Sequence, residues 1–351
     1  MPSLYACMMN LVFRCMPQDK PGQPHDYAAE RKRNDRKPPR PPKGVTVRLG
    51  ELDGLPAEFI QKPGNQKGTI FYIHGGGFTV GSARERRAVC QYITANYGYH
   101  CVTFNYRLAP ENLWPAPLED CLTAYTALLK TGVSPKDVVF MGESAGGTLV
   151  LSLALLLKEK GLPQPKALVA LSPCVTQADQ FPSYTQNAAT DYMLRTAVAE
   201  GKIKVVFGNR ANDLAYLRQP TISPLYGDFS GLPPVFFSAS DTEVLLDDSK
   251  VLYEKLKKQG HQTALDIRHG VCHAFRCFPP CRRQNRRLLQ FFAHWRNGHE
   301  EMDESSSHWR RGVCGDCRNC GNRLRWSLCR ISRACRRGED RLPNRNSLCG
   351  I

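Results

Sequence analysis

The stretch "DVVFMGESAGGTLVLSLALLLKEKG", residues 137–161, decides the fold. Its first five residues are an apolar run of strand length, and the Leu- and Ala-rich remainder is a buried helix closed by Gly161. Between them lies "GESAGG", Gly142 to Gly147. Glycines at a strand end often mark only a tight turn. With a serine between them, G-x-S-x-G at the top of a buried strand is the strand–turn–helix arrangement that exposes a nucleophile. Ser144 is thus the first candidate for chemistry, and the helix-opening Ala145 supplies a free backbone N–H beside it.

The same alternation extends to both sides. Apolar strand candidates begin at Val45, Ala57, Thr69, Cys101, Asp137, Lys166, Pro234 and Ala264, with helical stretches between the later ones. Short, nearly continuous apolar strands alternating with helices predict an α/β domain, its mainly parallel sheet covered on both faces. Residues 177–230 form a long insertion, too long for a structureless loop. They are expected to join the N-terminal segment as a helical cap. The expected boundaries are 1–44 for that segment and its Pro-rich linker, 45–275 for the core, and 276–351 for a tail of different character.

Composition narrows the classes. At 351 residues and 42% hydrophobic, the chain can bury a sizeable core. No apolar window is long enough for a membrane span, and the scattered cysteines up to Cys272 fit reduced thiols in a cytoplasm. The net charge of +16 would suggest nucleic acid. Most of that charge lies after Phe275, where Lys disappears and Arg and Cys become frequent. "CGDCRNC", Cys314–Cys320, has the spacing of a metal site. The preferred reading is an out-of-frame, disordered tail produced by a single-base frameshift near Arg276. No nucleic acid, metal or cofactor is therefore expected.

Two further features fall at strand ends, where open α/β sheets bind ligands. "HGGG", His74–Gly77, follows the strand "TIFYI"; consecutive glycines aim backbone N–H groups at one point, as an oxyanion hole requires. His74 is expected to orient that loop. "HGVCHAF", His269–Phe275, follows the last strand and offers His273 as general base, with His269 the weaker candidate. The orienting acid is Asp241 or Glu243 in "SASDTEVLLDD". Asp247 and Asp248 are expected to serve the next helix's N-terminus.

Taken in order, "HGGGF", "NYRLAPE" at Asn105, "WPAPLEDC" at Trp114, "GESAGG", "SPLYGDFSGLPP" at Ser223, "DTEVLLDDS" and "HGVCHAF" resemble the hormone-sensitive-lipase family of α/β-hydrolase serine esterases, over about residues 26–275. The resemblance implies the α/β-hydrolase fold with an eight-stranded sheet, Ser144 as nucleophile, His273 as base, and Gly75, Gly76 and Ala145 as oxyanion donors. The family's D-P-L-R-D element, slid onto "EVLLD", puts the acid at Glu243, with Asp241 the alternative. Arg107, Glu111 and Asp120 are expected to brace loops. The implied activity is hydrolysis of small, short-chain carboxylic esters, with the cap setting acyl size. A catalytically silent ligand-binding relative, an acyltransferase and a protein acting through the tail are the competing readings. The oligomeric state is open, a homodimer included.

Overall fold

A computed structural model describes residues 4–14, 25–35, 37–194 and 202–275, all within the unit Met1–Glu300. Two N-terminal helices, α1 (Leu4–Arg14) and α2 (Tyr27–Asn34), precede the strands β1 (Thr46–Leu52), β2 (Leu55–Gln61) and β3 (Thr69–Ile73). Helix and strand then alternate: α3 (Ala83–Tyr97), β4 (His100–Phe104), α4 (Ala116–Lys130), β5 (Val138–Glu143), α5 (Ala145–Glu159) and β6 (Ala167–Leu171). The insertion carries α6 (Pro182–Gln186), α7 (Lys202–Phe207) and α8 (Leu214–Leu217), and β7 (Val235–Ser240), α9 (Leu246–Lys258) and β8 (Thr263–Arg268) close the described chain.

The eight strands form one sheet in the order β1-β2-β4-β3-β5-β6-β7-β8. It is parallel from β4 to β8, while β2 runs antiparallel to both β1 and β4. Asp53 and Gly54, both with positive φ, make the two-residue turn between β1 and β2. Strands β3, β5, β6 and β7 are buried at every position, so they read as unbroken apolar runs. Alternation still sorts their side chains. Phe71 and Phe140 join the layer with Tyr125 of α4, Leu149 of α5 and Leu252 of α9, whereas Ile70, Tyr72, Val139 and Met141 meet Val89 and Ile93 of α3. The expected two-faced α/β sheet is what the chain builds.

The N-terminal segment reaches the sheet's carboxyl end. Asn10 of α1 donates to Gly270 O at 3.1 Å, and Arg31 of α2 donates to Thr79 O, Ala109 O and the Glu111 carboxylate. The insertion arrives on the same side through aromatic contacts: Trp114 lies 5.6 Å from Phe78 and 5.9 Å from Phe207, ring centre to ring centre. Arg107 pairs with Asp120, so the two loop-bracing pairs are Arg107–Asp120 and Arg31–Glu111. Residues 276–351, including the Cys314–Cys320 run and the expected tail, lie outside the described residues. Among the described residues no helix is long and apolar enough to cross a membrane, and no cluster of metal-binding side chains occurs.

Candidate active site

Ser144 sits between β5 and α5 with φ 54° and ψ −124°, and its N–H donates to Leu171 O at 2.8 Å. A non-glycine residue held at positive φ costs on the order of 1–3 kcal/mol, which the packing around it must offset. That packing leaves no room for side chains. A Cβ on Gly146 would stand 2.1 Å from Ile73 O, so only glycine lets α5 begin this close to the end of β3. Strain gathers here: of the five non-glycine residues with positive φ among the described residues, Phe78, Ser144, Ser172 and Ala274 border this site.

The glycine loop after β3 is held by Glu143, the residue before the serine. Gly75 N–H donates to Glu143 Oε1 at 2.7 Å, Tyr72 OH donates to Oε2 at 2.6 Å, and Arg86 Nε pairs with Oε1. Gly75 thus spends its amide on a buried carboxylate, a departure from its expected place among the oxyanion donors. The N–H groups of Gly76, Gly77 and Ala145 find no protein acceptor among the described residues. At Gly76, φ is 119° and a Cβ would meet Val80 O at 2.1 Å. His74 orients the loop, as expected. Its Nδ1 donates to Gly75 O at 2.8 Å and its ring stacks 4.1 Å from Tyr106, whose OH donates to His74 O. Burial pulls its pKa down to about 4, so the ring is neutral.

His273 follows β8 and is buried. Its Nδ1 donates to Glu243 Oε2 at 3.2 Å, which leaves Nε2 as the ring's acceptor, buried and without a hydrogen-bond partner among the described residues. Burial lowers the imidazole pKa, but the hydrogen bond and charge of Glu243 outweigh it, and the net shift is upward. Burial likewise pushes the Glu243 carboxyl up, against the pull of His273 and Ser172. Of the two candidate acids, Glu243 is the one brought to His273. Asp241 turns instead to the start of the His273 loop, its Oδ1 accepting from Gly270 N at 2.8 Å and its Oδ2 lying 2.5 Å from His269 Nδ1. His269 is exposed there. Asp247 and Asp248 do lie in the first turn of α9, where they accept from Ser183 N and Val175 N.

Several positions had no motif to mark them. Asn187 of the insertion donates to both Asp241 O and Glu243 O, Asp191 accepts from Val244 N, and Ser240 and Thr242 donate to Val271 O. Ser172, at the end of β6, touches Glu243 Oε2 and Ala274 N. The only signal for Ser172 was a hydroxyl residue closing a buried strand just before Pro173.

A strained serine between β5 and α5, a glycine loop after β3 and a carboxylate-paired histidine after the last strand define an α/β hydrolase. The model of an α/β-hydrolase-fold family matches residues 70–277. An esterase of Acinetobacter venetianus is 31% identical over 234 residues, covering 67% of this chain and 76% of its own. An acetyl-hydrolase of Streptomyces hygroscopicus is 30% identical over 250 residues, covering 71% and 81%. Among solved structures, EstE5 soaked with p-nitrophenyl butyrate superposes with a TM-score of 0.74 at 28% identity, covering 84% of this chain and 98% of that one. An esterase of the bacterial hormone-sensitive-lipase family gives 0.68 at 27% identity, covering 84% and 99%. The chain belongs to the hormone-sensitive-lipase family of α/β hydrolases, and it is a carboxylic ester hydrolase.

Proposed function

We propose that this protein is a serine carboxylesterase that hydrolyses short-chain esters through an acyl-enzyme on Ser144, with His273 as base and Glu243 as its orienting acid. The observation that carries this reading is the buried pair His273 Nδ1–Glu243 Oε2, which fixes the tautomer and leaves Nε2 ready to accept a proton. Nε2 takes the Ser144 proton as the hydroxyl attacks the ester carbonyl. The resulting oxyanion is received by the N–H groups of Gly76 and Ala145, joined by Gly77 in place of Gly75, whose amide is held by Glu143. Each such donor is worth about 3 kcal/mol in the transition state. Collapse passes the proton from Nε2 to the departing alcohol, and water repeats the sequence on the acyl-enzyme.

In this reading the segment 1–44 and the insertion at about 177–230 are the cap that sets acyl size. The Phe78–Trp114–Phe207 contacts and the bonds from Asn187 and Asp191 support it, because they tie the insertion to both the glycine loop and the acid turn. A chain-length series of p-nitrophenyl esters tests the specificity. Acetate and butyrate are expected to give kcat/KM at least about tenfold above palmitate, and a preference for the long chain would refute it. Ser144→Ala is expected to lower kcat by about 10⁴-fold or more.

A further inference from the structure

Ser172 has no part in the proton path, yet it touches both partners of His273's support. It leaves β6 at φ 48°, is almost fully buried, and follows Leu171, whose carbonyl receives the Ser144 N–H. Its own N–H donates to Ser238 O at 2.7 Å. A left-handed φ is uncommon for any residue but glycine. Glycine would suit the backbone better here, but it has no hydroxyl. That hydroxyl donates to Glu243 Oε2 at 2.9 Å and accepts from Ala274 N at 3.2 Å.

The oxygen that Ser172 holds is the one that accepts from His273 Nδ1, while Glu243 Oε1 has no hydrogen-bond partner among the described residues. Glu243 Oε2 therefore makes both of the carboxylate's hydrogen bonds. Without the Ser172 proton, only the histidine would define the carboxylate's rotation. Without its lone pair, Ala274 N, one residue past the base, would lose its acceptor.

We propose that Ser172 is a positioning residue. It fixes the Glu243 carboxylate and the His273 loop relative to one another, and so holds the orientation of the His273 imidazole. This rests on the triad reading above, and it predicts that the effect of Ser172 on kcat depends on Glu243, to which it ties the His273 loop.

The test is a double-mutant cycle in the full chain. Ser172→Gly, which suits the backbone, and Ser172→Ala are each made alone and in a Glu243→Gln background. Circular dichroism and Tm confirm folding, and either variant is read if the other fails to fold. Alone, the substitution is expected to lower kcat by at least about fivefold with KM within about twofold. In the Glu243→Gln background its further effect on kcat should stay below about twofold. A smaller loss alone, a loss carried by KM, or a loss that persists in the Glu243→Gln background overturns the assignment. Ser144→Ala is measured alongside: if it remains active, the triad reading itself fails, whereas an inactive Ser144→Ala beside a normal Ser172→Gly removes only the role of Ser172.

Discussion

At the ends of β3 and β5 the site is made of backbone. Gly146 presses against Ile73 O, Ser144 is bent to positive φ, and the N–H groups of Gly76, Gly77 and Ala145 are left open beside it, with the Glu143 carboxylate anchoring the loop through Gly75. At the ends of β6, β7 and β8 the site is made of side chains. Glu243 holds His273 by a hydrogen bond, Ser172, Asp241, Ser240 and Thr242 hold the loop that carries it, and the insertion's Asn187 holds the turn that carries Glu243. The first half depends on close approach, which a single methyl group disrupts. The second depends on donor–acceptor matching, so near-isosteric substitutions can take it apart one contact at a time.

Loss of the nucleophile aside, the largest effect is expected within the second half. Glu243→Gln should lower kcat by about 10³-fold, because an amide can offer its N–H where the histidine needs an acceptor. Asp241→Asn should stay within about threefold, since Asp241 holds Gly270 and His269 and does not face His273. Steady-state kinetics on p-nitrophenyl butyrate checks both, and a reversed order would move the acid to Asp241. In the first half, Glu143→Gln should lower kcat by about tenfold with little change in KM. It keeps an oxygen for Gly75 N but removes the charge paired with Arg86. No change in kcat would mean that the glycine loop is held without it.

These two halves were unequally legible in the sequence. Ser144, the glycine loop and His273 each lie in one contiguous motif at a strand end, so local chemistry and chain order were enough to single them out as candidates. The acid was not legible in this way. Asp241 and Glu243 share one turn, and which of them meets His273 depends on how Asn187, from more than fifty residues away in the chain, grips that turn. The direction of the Gly75 amide is set by a bond across two strand ends, which no run of glycines reveals. Ser172 belongs to no motif, because its partners lie 71 and 102 positions away. At the level of the fold, the strands were readable because both faces are covered. The β1–β2 hairpin was seen only as two separate strands, since its Asp53–Gly54 turn joins a mostly exposed edge strand to a buried one, with no shared pattern to link them.

A smaller effect separates charge from burial at His273. The base must be neutral to accept a proton, and Glu243 raises its pKa above the ordinary value near 6.5. The acid limb of kcat/KM should therefore have its midpoint above about 6.5, with activity falling as pH drops through it. In Glu243→Gln the largest raising contribution is gone while burial and the charges of Asp191 and Glu143 remain, so the midpoint of the residual activity should move down from that of the unaltered protein. In Asp241→Asn the midpoint should not move. A pH–rate profile of the three proteins measures this, and an unshifted midpoint in Glu243→Gln would break the pairing.

The most direct test of the account is covalent. The folded protein, treated with a fluorophosphonate at pH 8 and analysed by intact mass and peptide mapping, should carry one adduct, on the peptide containing Ser144. Ser144→Ala should carry none, and His273→Ala should react slowly. A folded wild-type protein that takes up no label, or takes it on another residue, would contradict Ser144 as the activated nucleophile.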